Sequence, residues 1–142
     1  MVVFVDGDVP CAVERRRDIK SWLKQVAARH GCRLGDVSVV SCSDKELLKY
    51  NRTYLDHDTF TDIITFDNSN GSLLSGDLLI SFERVLENAE NEGVAFQEEL
   101  RRVIVHGLLH LAGFKDKTPT EARNMRAAED RALTMFHAEH RA

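Results

Sequence analysis

Two histidines and an aspartate in the last third of the chain have the spacing of a metal site. His106 and His110 are four residues apart in the run H-G-L-L-H, so on an α-helix their imidazoles lie on one face, one turn apart. Gly113 suits the left-handed residue that ends such a helix, and the next turn can bring Asp116 back toward the histidines. The spacing predicts that His106, His110 and Asp116 hold one divalent metal ion.

The site lacks the glutamate base of a related class of metalloprotease, and this limits its possible chemistry. The spacing is that of the metzincin proteases, but Gly107 occupies the position of their glutamate base. Three protein ligands leave a coordination position for water, and we expect this metal-bound water to carry the reaction, with no side chain assigned as its base. Glu129 is a candidate base, or a carboxylate that accepts a hydrogen bond from a ligand histidine. Zinc is the expected metal, and the oxygen ligand also admits nickel, manganese or iron.

Other interpretations of the histidines stay open. Paired histidines also occur on ordinary helices, where Asp116 would be a turn residue, and two histidines with a carboxylate are also the ligands of non-haem iron oxygenases. The apolar helix beside the pair and its C-capping glycine favour a hydrolytic metal site. We expect His137 and His140 at the surface of a fraying tail, whereas His30 and His57 are isolated in sequence.

Hydrophobic periodicity predicts the elements that position these ligands. We expect an α+β fold in a single domain, residues 1–142, with a small mixed four-stranded sheet and about five helices. The predicted strands are 2–5, 37–42, 61–67 and 78–82, and the predicted loops are 55–59 and 68–76. The predicted helices are 15–30, 43–54, one after residue 82 that ends at Gly93, 96–112 and 118–137, with capping boxes at Ser43 and Thr118.

Composition limits the possible environments and partners. No apolar run is long enough to span a bilayer and the N-terminus lacks a signal segment, so we expect a cytoplasmic protein without a membrane partner. Cys11, Cys32 and Cys42 are an odd number without a C-x-x-C pair and are expected to be reduced thiols. A net charge of -4 gives no global attraction to nucleic acid. The sequence gives no indication of the oligomeric state.

Local basic residues are the candidates for contacts with RNA phosphates. Lys45, Lys49 and Arg52 are spaced by four and three residues, so they can share one exposed helix face. Such a face is more often simply a soluble surface than a phosphate site. Lys115, next to the candidate ligands, is the fourth possible phosphate contact.

Several sequence blocks occur in an order that is specific in combination. They are Asn51 with Tyr54, the run T-D-I-I-T-F at 61–66, Gly76 with Asp77, Glu99 with Leu100, and H-G-L-L-H-L-A-G-F from residue 106. Over roughly residues 46–133 the chain resembles the YbeY-type endoribonucleases, also called rRNA maturation factors. The resemblance implies a metalloprotease-like α+β domain that binds zinc and cleaves single-stranded RNA in the bacterial cytoplasm. It also implies ribosomal RNA, chiefly the 3′ end of the small-subunit rRNA, and the small ribosomal subunit as partners, with a role in ribosome quality control.

The chain departs from the family pattern at two positions. Asp116 stands where the family commonly has a third histidine, which alters the charge and hardness of the site. Leu55 stands where the family commonly has an arginine, a cation available for phosphate or transition-state charge. Arg52, about one turn earlier, is a speculative substitute for it.

The sequence therefore favours a metal-dependent endoribonuclease of ribosomal RNA maturation. One alternative is a metallopeptidase-like hydrolase, against which the glycine at position 107 argues. The other is a non-catalytic ribosome-assembly factor whose metal is structural, which the net negative charge favours.

Overall fold

The computed structural model describes residues 1–55 and 61–140, and in it the four strands come before the last three helices. The elements are β1 (Val2–Asp6), α1 (Arg16–Arg29), β2 (Arg33–Cys42), α2 (Asp44–Tyr54), β3 (Ile63–Asp67), β4 (Leu73–Ser81), α3 (Phe82–Glu92), α4 (Phe96–Leu111) and α5 (Pro119–Glu139). The predicted α+β class, the four-stranded mixed sheet and the five helices are confirmed.

The sheet places β3 at an edge. The strand order is β1-β2-β4-β3, in which β1, β2 and β4 run parallel and β3 runs antiparallel to β4. Parallel strands need a crossover connection, which α1 supplies between β1 and β2. One edge of β3 therefore pairs with β4, and among the described residues its other edge has no neighbouring strand in the sheet.

The predicted loop at 68–76 is wrong in its second half, because β4 already begins at Leu73. Leu74 is buried and pairs within the sheet, although residues 68–76 are rich in the Asn, Ser and Gly that typify loops. A Cβ at Gly76 would lie 2.2 Å from the carbonyl oxygen of Phe66. This glycine therefore permits close approach of two strands rather than a turn.

Two further boundaries and one predicted helix cap differ from the expectation. β2 extends back to Arg33 across an irregularity in its pairing with β4. Phe82 begins α3 instead of ending β4, because the hydroxyl of Ser81 accepts a hydrogen bond from the backbone N–H of Arg84 and so caps the helix. At Ser43, only the bond from the backbone N–H of Glu46 to the serine hydroxyl is present, whereas Thr118 forms a complete capping box.

The helix α4 lies in the centre of the core, against β3 and β4 on one side and against α1, α3 and α5 on the other. A Cβ at Gly107 would lie 2.8 Å from Leu78 Cδ2 and 2.9 Å from Ile63 Cδ1. The absence of a side chain therefore lets α4 approach the sheet closely at this turn. The predicted inner face of the helix is confirmed as buried, namely Leu100, Val103, Ile104, Gly107, Leu108 and Leu111.

The helix α2 covers the opposite face of the sheet beside β3. Successive strand residues point to opposite faces, so Ile63 faces α4 while Ile64 belongs to a second apolar cluster with Leu47 of α2. Tyr50 and Phe66 pack against this cluster. The β3 edge is thus flanked by α4 on one face and α2 on the other.

The cysteines agree with the prediction from composition. Cys11 and Cys42 are buried, Cys32 is partly buried, and all three are free thiols. Within the described ranges, no helix is both long and apolar enough to cross a membrane.

Candidate metal centre

The C-terminal half of α4 and the turn after it bring the three predicted ligands together. His106 Nε2 and His110 Nε2 are 3.0 Å apart, and Asp116 Oδ2 lies 3.3 Å from the first and 3.4 Å from the second. Gly113 has a φ of 102°, a left-handed conformation that turns the chain back toward the helix. The arrangement forms a group that could hold a metal ion.

The spacing of these atoms fits a small divalent ion. Tetrahedral ligands at about 2.0–2.1 Å from zinc lie roughly 3.3–3.4 Å from one another, close to the three separations in this site. Two imidazole nitrogens and a carboxylate oxygen also match the ligand types that zinc accepts. The residues present therefore fit a tetrahedral metal with one further coordination position.

Hydrogen bonds fix the orientation of both imidazoles. His110 Nδ1 lies 2.9 Å from the carbonyl oxygen of Phe114, which can only accept, so Nδ1 carries the proton and Nε2 offers its lone pair. His106 Nδ1 lies 2.6 Å from Glu129 Oε2, an arrangement in which the carboxylate accepts from the histidine. Both Nε2 atoms therefore point their lone pairs at the space beside Asp116.

A buried network holds Glu129 in place. Arg102 Nη1 donates to Glu129 Oε1 at 2.9 Å, and its Nη2 donates to Asp130 Oδ1 at 2.8 Å. The side chain of Glu129 is only 6% exposed, so its charge needs these partners. Arg102 was not predicted from sequence, because on α4 it has the pattern of an ordinary surface cation.

The electrostatics of His106 favour a positive charge at this place. Burial is the largest single effect and opposes the charged imidazole, but the hydrogen bond and charge of Glu129, with the charges of Asp116 and Asp62, raise the pKa of His106 above its ordinary value. Carboxylates that favour a proton on an imidazole also favour a metal cation beside it.

Asp62 is a further site residue that the sequence reasoning missed. Its carboxyl lines the same cavity as His106. Burial is the main cause that raises its pKa, and the neighbouring charge of His106 lowers it. The available signal was an acid placed directly before a β-branched strand, where a charged residue at a sheet edge can face a cleft.

A cavity of about 570 Å³ opens over the three ligands and runs along β3. Its lining residues come from α2, β3, α4 and the segments after residues 60 and 113, namely Asn51, Leu55, Thr61, Asp62, Ile63, Ile64, Thr65, Asp67, His106, His110, Asp116 and Lys117. Leu55, which occupies the position where the family commonly has an arginine, is one of these lining residues.

The four cations expected at RNA do not line this cavity. Lys45, Lys49 and Arg52 lie on α2, where the ammonium of Lys49 is 3.5 Å from Glu46. Lys115 lines a separate depression with Glu121. Within residues 1–55 and 61–140, Lys117 is the one lysine or arginine that lines the cavity.

The other histidines in the described part of the chain are not members of the candidate ligand group. His30 packs edge-on against Phe114 at 5.2 Å and has a pKa lowered by burial. His137 is exposed, as expected, and lies 3.0 Å from Glu98. The expectation of a surface position for His140 is wrong: its side chain is 14% exposed and its carbonyl oxygen accepts a hydrogen bond from Arg15. His57 and most of the predicted loop 55–59 lie outside the described residues.

Comparison with known proteins gives one consistent family. Residues 8–137 match the family model described as Endoribonuclease YbeY. The Endoribonuclease YbeY of Bacteroides thetaiotaomicron is 50% identical over 121 residues, which cover 85% of this chain and 88% of the relative. That of Parabacteroides distasonis is 42% identical over 138 residues, which cover 97% of both chains. The solution structure of TM1509 from Thermotoga maritima covers 98% of this chain and 91% of its own with a TM-score of 0.68 and 22% identity, a likeness of fold.

Proposed function

Because this chain belongs to the Endoribonuclease YbeY family, and is thus an RNA-cleaving hydrolase of ribosomal RNA processing, we propose that it cuts single-stranded RNA in the cavity over His106, His110 and Asp116. The proposed metal is one zinc ion held by these three residues. The proposed cellular substrate is the 3′ end of small-subunit rRNA on the small ribosomal subunit, in the bacterial cytoplasm. The catalytic domain is proposed to comprise residues 1–142.

The convergence of three lone pairs carries this proposal. Two Nε2 atoms and one carboxylate oxygen lie within hydrogen-bond range of one another, while both Nδ1 atoms are committed to acceptors. Neutral imidazoles in this arrangement repel each other, because both direct lone pairs at the same point. A bound cation removes that repulsion.

The chain's own residues divide the chemical work. When bound, a divalent ion supplies a water of lowered pKa and a positive charge near the phosphate. Glu129 keeps the His106 ring in place through Nδ1. Asp62 lines the same cavity as His106, and we assign its carboxyl the role of accepting a proton there. Lys117, at the cavity wall, is placed to contact a phosphate oxygen.

The cations outside the cavity keep a secondary role in this proposal. The last residues of α2 border the cavity, so Lys45, Lys49 and Arg52 on the same helix are proposed to contact RNA beyond the cleavage point. Lys115 is proposed to contact the strand on the side of α5.

The peptidase alternative is disfavoured by the direction of position 107. A side chain there would start too close to Leu78 and Ile63 of the sheet, so the position has no room for the glutamate base of the metzincin proteases unless α4 moves away from the sheet. Family membership likewise disfavours both the oxygenase and the non-catalytic assembly factor.

Cleavage of single-stranded RNA by purified protein tests the proposed function. The His110→Ala protein should lose cleavage, because a ligand is gone, and Asp62→Asn should reduce it by about 100-fold or more while the bound metal is retained. His137→Ala, an exposed histidine 3.0 Å from Glu98, is the matched control and should cleave as the wild type does. Equal cleavage by wild type and His110→Ala would identify a contaminating nuclease and overturn the proposal.

A further inference from the structure

Three aromatic rings form a cluster at the end of α2. The ring centroids of Tyr50 and Tyr54 are 5.6 Å apart and their planes are inclined by 24°, so the two rings are stacked. Phe66 of β3 meets Tyr54 edge-on at 6.0 Å and Tyr50 at 6.3 Å. We call these three residues the Tyr54 platform. Two ring contacts hold Tyr54 in a fixed orientation.

The outermost ring of the platform is exposed. Tyr54 is 64% exposed, whereas Tyr50 and Phe66 are partly buried against the apolar cluster under α2. The other large hydrophobic residues that are exposed in the described part of the chain are all aliphatic, namely Met1, Val3, Val5, Leu55 and Leu86. Among the described residues, Tyr54 is thus the exposed aromatic ring that can contact a ligand.

The platform adjoins the cavity over the metal ligands. Tyr54 lies on α2 between Asn51 and Leu55, which both line the cavity. Phe66 of β3 packs on the α2 face of the strand, whereas its neighbours Thr65 and Asp67 line the cavity, so β3 separates the base of the platform from the cavity by the width of one strand. The exposed Tyr54 ring therefore borders the α2 wall of the cavity, within reach of an RNA strand that extends past this wall.

The charges in the cavity favour an RNA-binding contribution that does not depend on attraction between cations and phosphates. Three carboxylates, those of Asp62, Asp67 and Asp116, line the cavity together with Lys117, and the chain carries a net charge of -4. Stacking of a base on an aromatic ring does not depend on charge and tolerates any base. It is available to unpaired bases, because a duplex already stacks its own.

From this placement we infer that the Tyr54 platform is a binding subsite for one unpaired nucleobase of the RNA that occupies the cavity. The inference rests on the proposed function, since it assigns a second contact to the same substrate. A ring that is already held by Tyr50 and Phe66 loses little rotational freedom when a base stacks on it. The subsite provides a physical reason for the choice of single-stranded over paired RNA.

Binding measured without cleavage tests the subsite. In the His110→Ala background, fluorescence anisotropy with a labelled single strand of about ten nucleotides gives the dissociation constant. Tyr54→Ala should raise this constant by roughly 5- to 100-fold, the usual effect of removing one stacking ring. Tyr54→Phe should stay within about twofold, because it keeps the ring. Leu86→Ala, which removes an exposed hydrophobic side chain on α3, is the matched control and should bind as its parent does.

Abasic probes separate stacking from a general disturbance of α2. Oligonucleotides that lack one base at each position in turn should include one that binds the Tyr54 protein more weakly but is bound by the Tyr54→Ala protein without further loss. Equal binding of the parent RNA by the Tyr54 and Tyr54→Ala proteins, or equal sensitivity of both to every abasic position, would overturn the subsite and leave the nuclease function standing if wild type still cleaves. A wild-type protein that neither binds nor cleaves single strands would overturn both.

Discussion

At the scale of single residues, each histidine of the proposed metal site is held through Nδ1 by a different kind of acceptor. Glu129 holds His106 with a buried carboxylate, and the main-chain carbonyl of Phe114 holds His110. Both bonds fix the tautomer that leaves Nε2 free for a metal. The carboxylate additionally contributes a negative charge, so neutralising Glu129 should lower the affinity of the proposed site for a metal cation.

We predict that Glu129→Gln weakens zinc binding by about 10- to 100-fold. Glu129 accepts from His106 through one oxygen and from Arg102 through the other, and glutamine would replace one acceptor with an amide donor. Competition with a chromophoric chelator measures the affinity. Asp130→Asn is the control, since Asp130 also pairs with Arg102 but is 58% exposed and has no bond to His106. Similar losses in both variants would assign the effect to Arg102 instead.

The sequence predicts the candidate ligands and the supporting carboxylate of Glu129 better than it predicts main-chain supports or side chains brought in through sheet pairing. His106 and His110 are one helical turn apart and Asp116 follows the turn that ends the helix, so the sequence spacing alone predicts that the three side chains converge. The carbonyl of Phe114 has no residue-type signature, because every residue carries one. Asp62 comes to the ligands through sheet pairing and helix packing, which no local pattern encodes.

At the scale of elements, the packing of α4 on the sheet sets the position of the histidine turn. Gly107 faces the Leu78 and Ile63 side chains, at a distance where a Cβ would be too close to their methyl groups. The helix therefore lies nearer the sheet at this point than an alanine would allow. This proximity places the ligands beside the edge strand β3.

We predict that Gly107→Ala lowers the free energy of unfolding by about 1 kcal/mol. Alanine gains about 1 kcal/mol in helix propensity, but overpacking a core typically costs about 1–3 kcal/mol. Urea unfolding followed by circular dichroism measures the change. In a Leu78→Val background, which shortens the opposing side chain, the same substitution should cost less. An unchanged cost there would show that the contact with Leu78 does not limit the approach of α4.

Helix ends were more predictable than strand ends. Thr118, Pro119 and Glu121 are capping residues with specific hydrogen bonds, and the structure contains those bonds. The start of β4 is concealed by serine and glycine, whose usual place in loops reflects their local conformational freedom. Here the pairing of β4 with β2 decides the structure, and that pairing is a long-range contact.

At the scale of the whole molecule, the proposed metal should couple to stability. The ligands come from the end of α4 and from the turn that leads into α5, so a bound ion links two helices of the core. An ion that binds the folded chain and not the unfolded chain stabilises the former by mass action.

We predict that chelation lowers the melting temperature of the zinc-loaded protein by roughly 5–15 °C. Free zinc at about 100–1,000 times its dissociation constant contributes about 2.7–4.1 kcal/mol, and a domain of this size changes by about 2–4 °C per kcal/mol. Differential scanning calorimetry with and without chelator measures the shift. Asp116→Ala should shrink it, whereas Glu90→Ala, an exposed acid on α3, should not. A wild-type protein that shows no shift would contradict the metal site.

The two histidine supports also differ in how readily mutation can alter them. A single codon change at Glu129 can weaken, neutralise or reposition the group behind His106. No substitution of the Phe114 side chain removes the carbonyl behind His110, which is part of every residue. Natural variation and laboratory evolution can therefore adjust this metal site gradually from the His106 side, while the His110 side stays constant as long as the turn at Gly113 is preserved.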